Sequence, residues 1–126
     1  MSLLLIDKSA YVRGLEFSDD DELCLCAVTR LELLFSARSR ADYQLLEQDL
    51  AEFRDLRMDS ETFATAISAQ RDLARLGEHR VPIPDLLIAS CAQQHSADVA
   101  HEDRHYDVLA GVLAFTPRRT GADPPS

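Results

Sequence analysis

The chain is poor in cysteine and lysine and has no long apolar run. Its three cysteines are an odd number, which argues against a disulfide framework. Cys24 and Cys26 stand two apart in an apolar segment and are predicted to be core residues rather than metal ligands. No segment approaches the length of a membrane span, and MSLLLID is too short for a signal peptide, so we expect no membrane association and a cytoplasmic location.

The sequence also lacks a glycine-rich phosphate loop, a dinucleotide fingerprint and an activated serine or cysteine nucleophile. The net charge of −9 has the wrong sign for a protein that binds nucleic acid through its overall field. Lys8 is the only lysine, so any phosphate contacts must come from a local group of arginines. A chain of 126 residues predicts one domain with a single core.

Apolar runs and turn residues predict strands that alternate with helices. We expect strands at residues 3–6, 23–27, 56–58, 98–101 and 112–115. Helices are predicted at residues 9–16, 28–37, 42–54, 60–77, 85–95 and 105–110, the fourth capped by Ser60 and ended by Gly77. This order indicates a three-layer α/β/α domain over residues 1–116, with a central parallel sheet of four to five strands. Residues 117–126 are predicted to be a disordered tail.

Four acidic residues stand where this fold would gather them. Asp7 directly follows the first strand and Asp103 follows the fourth, so both emerge at the carboxyl edge of the sheet, where ligands bind. Glu32 borders the apolar stripe of its helix, formed by positions 28, 31 and 35, and Asp85 begins an apolar helix. Three of these residues also have an ordinary alternative role: Asp7 as a helix cap, Asp85 beside a helix dipole, and Glu32 in solvent.

Carboxylates crowded at one edge repel one another, and a divalent cation removes that conflict. Oxygen ligands of this kind suit Mg²⁺ or Mn²⁺. Such a cation can lower the pKa of a bound water and hold a phosphate for in-line attack. The sequence therefore predicts a catalytic metal site formed by Asp7, Glu32, Asp85 and Asp103.

Four segments in order, LLLIDKS, RLELL, PDLLIASCA and AHEDRHYDVLA, resemble the PIN-domain ribonucleases, and above all the VapC toxins of bacterial toxin–antitoxin pairs. The resemblance spans residues 3–115 and implies a PIN-like fold. It places Asp7 and Ser9 in a D-x-S motif and puts the family's other acids at Glu32, Asp85 and Asp103. Asp107 is a looser match to a further acid that some members carry. The implied activity is Mg²⁺-dependent endonucleolytic cleavage of RNA by a metal-activated water, and the implied partners are a second copy of the chain and a VapB-type antitoxin.

Three positions depart from the commoner pattern of this family. Lys8 stands where a small hydroxyl residue is frequent, His101 where a threonine is frequent, and His105 where an aspartate is frequent. A His-x-Asp-x-His arrangement at His101, Asp103 and His105 therefore offers a transition-metal site as an alternative. These departures bear on the preferred metal rather than on the four carboxylates.

Two sets of residues are candidates for contacts with partners. The arginines that could guide the RNA backbone are Arg13, Arg30, Arg38, Arg40 and Arg104. The apolar residues that exceed the needs of one amphipathic face, and could form a groove for an antitoxin helix, are Leu33, Leu34, Phe35, Tyr43, Leu45 and Leu46. An ordinary core with a homodimer seam explains the apolar set equally well, and the negative charge of the chain fits a basic partner segment.

Other classes of function remain as alternatives. A receiver-type signalling domain also gathers acids at a sheet edge, but it is expected to pair its first acid and to carry a late lysine, whereas the only lysine here is Lys8. A catalytically inactive α/β interaction module would not need all four acids. A nuclease that acts on DNA stays open, because nothing in these motifs reads the ribose 2′-hydroxyl.

Overall fold

The computed structural model of the protein describes residues 2–14 and 17–119. The strands of this part are β1 (Ser2–Ile6), β2 (Asp21–Leu25), β3 (Arg54–Asp55), β4 (Asp98–His101) and β5 (Pro117–Arg119). The helices are α1 (Lys8–Arg13), α2 (Ala27–Phe35), α3 (Arg40–Leu50), α4 (Ser60–Arg75), α5 (Ile83–His95) and α6 (His105–Leu109). The predicted alternation of strands and helices is confirmed.

The strands form one parallel sheet in the order β3-β2-β1-β4-β5. Because side chains alternate between the faces of a strand, the central strands supply two separate cores. Leu4 and Ile6 pack with α1, α2 and the end of α3, whereas Leu5 and Val99 pack with α4, α5 and α6. This is the predicted three-layer α/β/α arrangement. Cys24, Cys26 and Cys91 are buried and unpaired, as the composition indicated.

The fifth strand is not where the apolar run predicted it. Residues 112–115 follow α6 in tight turns, in which the backbone N–H groups of Val112 and Leu113 both bond to the carbonyl of Leu109. A short apolar run is ambiguous between a strand and a buried turn, and Leu113 reaches the core from the turn. The polar segment Pro117–Arg119, which the sequence predicts to be part of a disordered tail, forms β5 instead. The rest of that tail, residues 120–126, lies outside the described residues.

Charge explains why a polar segment completes the sheet. Arg118 Nη2 lies 2.9 Å from Asp21 Oδ1, and its Nε lies 3.0 Å from Asp98 Oδ2. Asp21 begins β2 and Asp98 begins β4, so one guanidinium links three strands at the end of the sheet opposite the carboxyl edge. These ion pairs hold in the sheet a segment that has too few apolar side chains to be predicted as a strand.

Several other boundaries also differ from prediction: the third strand is Arg54–Asp55 rather than 56–58, the third helix ends at Leu50 rather than at residue 54, and two helix ends have a visible cause. The fourth helix is capped by Asp59 rather than Ser60, because the Asp59 side chain accepts from the N–H of Glu61 and the Asp59 backbone N–H donates to the Thr62 hydroxyl oxygen. Gly77, with a φ of 74°, ends that helix as predicted. The first helix ends at Arg13, because Gly14 takes a φ of 105°, and the predicted extension to residue 16 lies outside the described residues. No helix within residues 2–14 and 17–119 is long and apolar enough to cross a membrane.

Candidate active site

The carboxyl ends of β1 and β4 lie side by side at the point where the order of strands along the sheet reverses. The chain leaves β1 for β2 on one side and later enters β4 on the other, which is the switch point at which parallel sheets bind ligands. Helices α2 and α5 cover opposite faces of the sheet and add side chains from each. An open cleft of about 280 Å³ is lined here by Asp7, Lys8, Ser9, Glu32, Asp85 and Asp103. The fold therefore brings the four predicted acids together.

Asp7 is buried and held from two sides. Its Oδ2 accepts hydrogen bonds from the Ser9 N–H at 3.0 Å and from the Ser9 hydroxyl, which makes Asp7 the N-cap of α1. Its Oδ1 accepts a 2.6 Å bond from the Tyr106 hydroxyl. The Ser9 oxygen accepts a bond from the N–H of Glu102, which ties the turn after β1 to the loop after β4. Asp7 therefore both caps α1 and lines the cleft.

Asp85 lies in the first turn of α5 and is only 8% exposed. Its Oδ2 is buried and has no hydrogen-bond partner among the described residues, while its Oδ1 lies 3.5 Å from the Tyr106 hydroxyl. Burial, followed by the negative charges of Asp7 and Asp103, raises the pKa of Asp85 to about 7. Because an ionised carboxylate is costly to bury without a partner, Asp85 is the acid that most needs a cation.

The loop between β4 and α6 holds Asp103 beside His105. Asp103 Oδ1 accepts a 3.0 Å bond from the His105 N–H, and the Asp103 N–H donates to His101 Nδ1 at 3.1 Å. Burial acts to raise the pKa of Asp103, but the backbone N–H and the imidazole of His105 more than offset it, so the pKa is lowered. His105 Nδ1 lies 2.7 Å from Asp103 Oδ1 and 3.3 Å from Asp85 Oδ2. His105 thus belongs to the cluster of acids.

Glu32 lies half-buried at the rim of the cleft. Burial, followed by the charge of Asp7, raises the pKa of Glu32, and Lys8 opposes the effect. Helix α2 buries a different face from the predicted apolar stripe, because its buried residues are Thr29, Leu33 and Leu34. Glu32 therefore faces the cleft from beside the core, which is what exposes it to the other acids.

His101 and Asp107 do not join the cleft. His101 is 1% exposed, its ring centroid lies 5.1 Å from that of Tyr106, and its Nε2 lies 3.9 Å from Asp107 Oδ1. Burial is the main cause that lowers the pKa of His101. Asp107 is exposed and pairs with Arg119 at 3.3 Å. Of the alternative set of His101, Asp103 and His105, the structure brings Asp103 and His105 together with Asp85 and leaves His101 outside.

The arginines predicted to contact RNA lie in different parts of the structure. Arg104 lines a second cleft of about 510 Å³, together with Arg80 and with His105, which borders the acids. Arg30 is engaged elsewhere, since its Nη1 donates to the Leu50 carbonyl at 3.3 Å and its Nη2 lies 3.9 Å from Asp55. The arginines that are exposed and line neither cleft are Arg13, Arg38 and Arg40. Arg80 was missed, because a lone arginine in a loop carries no sequence signal.

The predicted apolar groove also separates into two groups. Leu33 and Leu34 are residues of α2 that are buried in the core, so their assignment to a partner groove is wrong. Leu46 packs in part against the same core. Phe35 is 89% exposed, Leu45 63% and Tyr43 41%. The error follows from the rotation of α2, which buries positions 33 and 34 and leaves position 35 in solvent.

Tyr106 is the main residue that the sequence did not single out. It is fully buried in α6, and it donates to Asp7 while lying close to Asp85. Burial, followed by the charges of Asp7 and Asp85, raises its pKa well above the ordinary value. Its hydroxyl therefore stays protonated and fixes the Asp7 carboxylate. The only sequence signal is a polar-tipped aromatic residue three positions after Asp103.

Replacing Tyr106 with phenylalanine is expected to destabilise the protein by about 2 kcal/mol, because Asp7 Oδ1 loses a buried donor. The ring would keep its contacts with His101 and Phe115. Urea unfolding of the variant measures the loss. The matched control is Tyr11→Phe, which removes a hydroxyl from a half-buried ring in α1 and should change stability little. Equal effects of the two variants would show that the bond to Asp7 contributes nothing.

Comparison with known proteins identifies the family. The family model described as PIN domain matches residues 4–112. The chain belongs to the PIN-domain family. It is 40% identical over 123 residues to a protein named Ribonuclease VapC17 from Mycobacterium tuberculosis, covering 89% of this chain and 90% of that one. It is also 38% identical over 95 residues to Ribonuclease VapC18 of the same species, covering 73% of this chain and 69% of that one. The predicted family is confirmed, and a receiver-type domain is not supported.

Solved structures agree with this PIN-domain fold. A crystal structure of VapBC-5 from Mycobacterium tuberculosis, described as a member of the VapBC family of toxin–antitoxin systems, aligns with a TM-score of 0.75 at 23% identity and covers 95% of this chain and 100% of that chain. DNA-bound VapBC from Salmonella typhimurium aligns with a TM-score of 0.76 at 18% identity and covers 94% and 98%. At these identities the likeness establishes the fold alone.

Proposed function

We propose that this protein is a metal-dependent endoribonuclease and the toxin of a VapBC-type toxin–antitoxin pair, acting in the cytoplasm. One observation carries the proposal: Asp7, Glu32, Asp85 and Asp103 line a single cleft at the switch point of the sheet. Relatives named Ribonuclease VapC, one of them 40% identical over 123 residues, support it. The activity assigned to the cleft is hydrolysis of the RNA phosphodiester backbone.

The donor set fits a divalent cation such as Mg²⁺ or Mn²⁺. Carboxylate oxygens are the ligands these cations prefer, and Asp85 Oδ2 is buried with no hydrogen-bond partner among the described residues. Asp7, Asp85 and Asp103 would hold the cation, with Glu32 at the rim. When bound, it supplies positive charge that neutralises a phosphate and lowers the pKa of a coordinated water.

The protein's own side chains prepare this chemistry. Ser9 and Tyr106 fix the two oxygens of Asp7, and the His105 N–H fixes Asp103, so these acids need little reorganisation when substrate arrives. Glu32 is held least, and its raised pKa suits it to accept a proton during hydrolysis. Lys8 lines the same cleft and offers a positive charge to the phosphate group.

The second cleft gives RNA a path to the acids. Arg80 and Arg104 line it, and His105 borders both clefts, so a backbone lying along the arginines leads to Asp85 and Asp103. Because the net charge of −9 repels RNA, local arginines such as these would have to supply the phosphate contacts. Among the predicted arginines, Arg104 is therefore the one that we retain as an RNA contact.

Two exposed apolar surfaces suit a protein with two protein partners. One is formed by Leu31, Phe35, Tyr43 and Leu45 on α2 and α3, and the other by Phe63, Ile67 and Ile83 on α4 and α5. Exposed apolar patches of this kind mark protein interfaces. The negative charge of the chain favours a basic antitoxin segment on one surface, and a second copy of the chain would cover the other.

Asparagine in place of Asp7 tests the proposal on total RNA. We expect cleavage by Asp7→Asn to fall on the order of a hundredfold or more, because a cation ligand is lost while the shape of the side chain is kept. The matched control is Asp19→Asn, which removes one carboxylate from an exposed turn and should cleave like the wild type. Single-stranded DNA of matched sequence is incubated in parallel.

The possible results separate the alternatives. Cleavage of RNA that is lost in Asp7→Asn but kept in Asp19→Asn supports the proposed ribonuclease. Equal cleavage by all three proteins contradicts a role for the acidic cleft. Cleavage of the DNA with RNA left intact assigns the protein to the DNA-directed nucleases, and no cleavage of either makes it an interaction module.

A further inference from the structure

A nitrogen donor borders the oxygen donors of the acidic cleft. His105 Nδ1, Asp85 and Asp103 each present a ligand atom, and the three atoms lie within 4.8 Å of one another. Nδ1 lies 2.7 Å from Asp103 Oδ1 and 3.3 Å from Asp85 Oδ2. Such spacing places three potential ligands around one point in the cleft.

Hydrogen bonding does not explain this convergence. Neither contact of His105 Nδ1 has hydrogen-bond geometry, so this buried nitrogen has no hydrogen-bond partner among the described residues. Asp85 Oδ2, a buried atom of a residue that is 8% exposed, also has none. Buried polar atoms normally have hydrogen-bond partners, and two neighbouring ones that lie 3.3 Å apart without such a bond indicate a site for a shared ligand.

We propose that His105 is a nitrogen ligand of the cation and that it shifts the site towards first-row transition metals and away from Mg²⁺. This inference rests on the metal-dependent function proposed above. Mg²⁺ binds almost entirely through oxygen, whereas imidazole nitrogen suits transition-metal ions. One nitrogen among carboxylate oxygens therefore favours ions such as Mn²⁺ over Mg²⁺ more than an all-oxygen set would.

The competing role for His105 is that of an imidazolium paired with Asp103 without contact to a cation. In that arrangement the ring would repel a cation, and no nitrogen would be coordinated. The burial of the Asp85 and His105 atoms does not distinguish the two roles, but a measurement of the ligand atom does. Mn²⁺ is a suitable probe because its unpaired electrons report the magnetic nuclei bound to it.

The experiment uses the full chain loaded with Mn²⁺ alone. Pulsed electron paramagnetic resonance detects a coordinated nitrogen, and competition with Mg²⁺ gives the ratio of the two affinities. His105→Asp replaces the nitrogen with oxygen. The matched control is His79→Asp, the same substitution at an exposed position in the loop between α4 and α5. Circular dichroism verifies that both variants are folded.

The wild type and His79→Asp are expected to show nitrogen modulation, and His105→Asp to lose it. The Mn²⁺ to Mg²⁺ affinity ratio should fall at least about tenfold in His105→Asp, the lower end of the effect seen when even an outer partner of a ligand is removed. Mn²⁺ bound by the wild type without nitrogen modulation, and with a ratio that His105→Asp leaves unchanged, overturns the role of His105 but keeps the cation site. Absence of Mn²⁺ binding overturns both.

Discussion

Asparagine in place of Asp85 is expected to raise the stability of the cation-free protein at pH 8 while abolishing RNA cleavage. Asp85 is buried, its Oδ2 has no hydrogen-bond partner among the described residues, and burial followed by Asp7 and Asp103 raises its pKa to about 7. The amide has nearly the same shape but carries no charge to bury. The substitution that removes the cost of a buried charge also removes a proposed cation ligand, so stability should rise while activity is lost.

The sign of the pH dependence follows from the two pKa values of Asp85. In the unfolded chain the carboxyl ionises near its ordinary value of about 3.9, whereas in the fold it keeps its proton up to about 7. The fold therefore binds the proton more tightly, so stability falls as the pH rises from about 4 to about 7 and stays low above that range. Asp85→Asn should lack this decrease.

Thermal unfolding in chelator at pH 5 and pH 8 measures the effect. At pH 8 we expect the melting temperature of Asp85→Asn to exceed that of the wild type by roughly 5 °C, the shift that about 1 kcal/mol produces in a domain of this size. Asp19→Asn, in an exposed turn, is the charge-matched control and should follow the wild type at both pH values. A variant less stable than the wild type at pH 8 would show that the Asp85 carboxylate is stabilised by the fold.

Cation binding is expected to stabilise the wild type strongly at pH 8 and weakly at pH 5. At pH 8 the Asp85 carboxyl is ionised and ready to bind, whereas at pH 5 a proton competes for it because its pKa is about 7. A cation at a hundred times its dissociation constant stabilises the folded state by about 2.7 kcal/mol. The melting temperature in saturating Mn²⁺, compared with that in chelator, gives the effect at each pH. Equal stabilisation at both pH values would place the cation away from Asp85.

The fold was predictable where apolar patterning determines it. The buried run before Asp7 and the strand before Asp103 both lie close to their expected bounds, because the central strands of a parallel sheet are apolar on both faces. The edge strand β5 could not be predicted in this way, because its place depends on the pairing of Arg118 with Asp21 and Asp98 across the sheet. Ion pairs between distant segments leave no local pattern.

The carboxylates of the acidic cleft and the supporting Ser9 were predictable, but Tyr106 and the orientation of His105 were not. Asp7 and Asp103 follow strands that end at the same edge, so topology alone brings them together. His105 and Tyr106 lie on the five-residue helix α6, which is too short for its periodicity to show which side chain faces inward. The contacts of Tyr106 with Asp7 and of His105 with the acids therefore depend on the tertiary structure.

Dependence of RNA cleavage on the cation tests the central claim most directly. Purified wild type is incubated with total RNA in Mn²⁺ or Mg²⁺, then in excess chelator, and then with the cation restored, beside Asp7→Asn purified in the same way to reveal a contaminating nuclease. The acidic cleft predicts that cleavage stops in chelator, returns with the cation and is lost throughout in the variant. Cleavage that persists in chelator, or that Asp7→Asn retains at the wild-type rate, would contradict it.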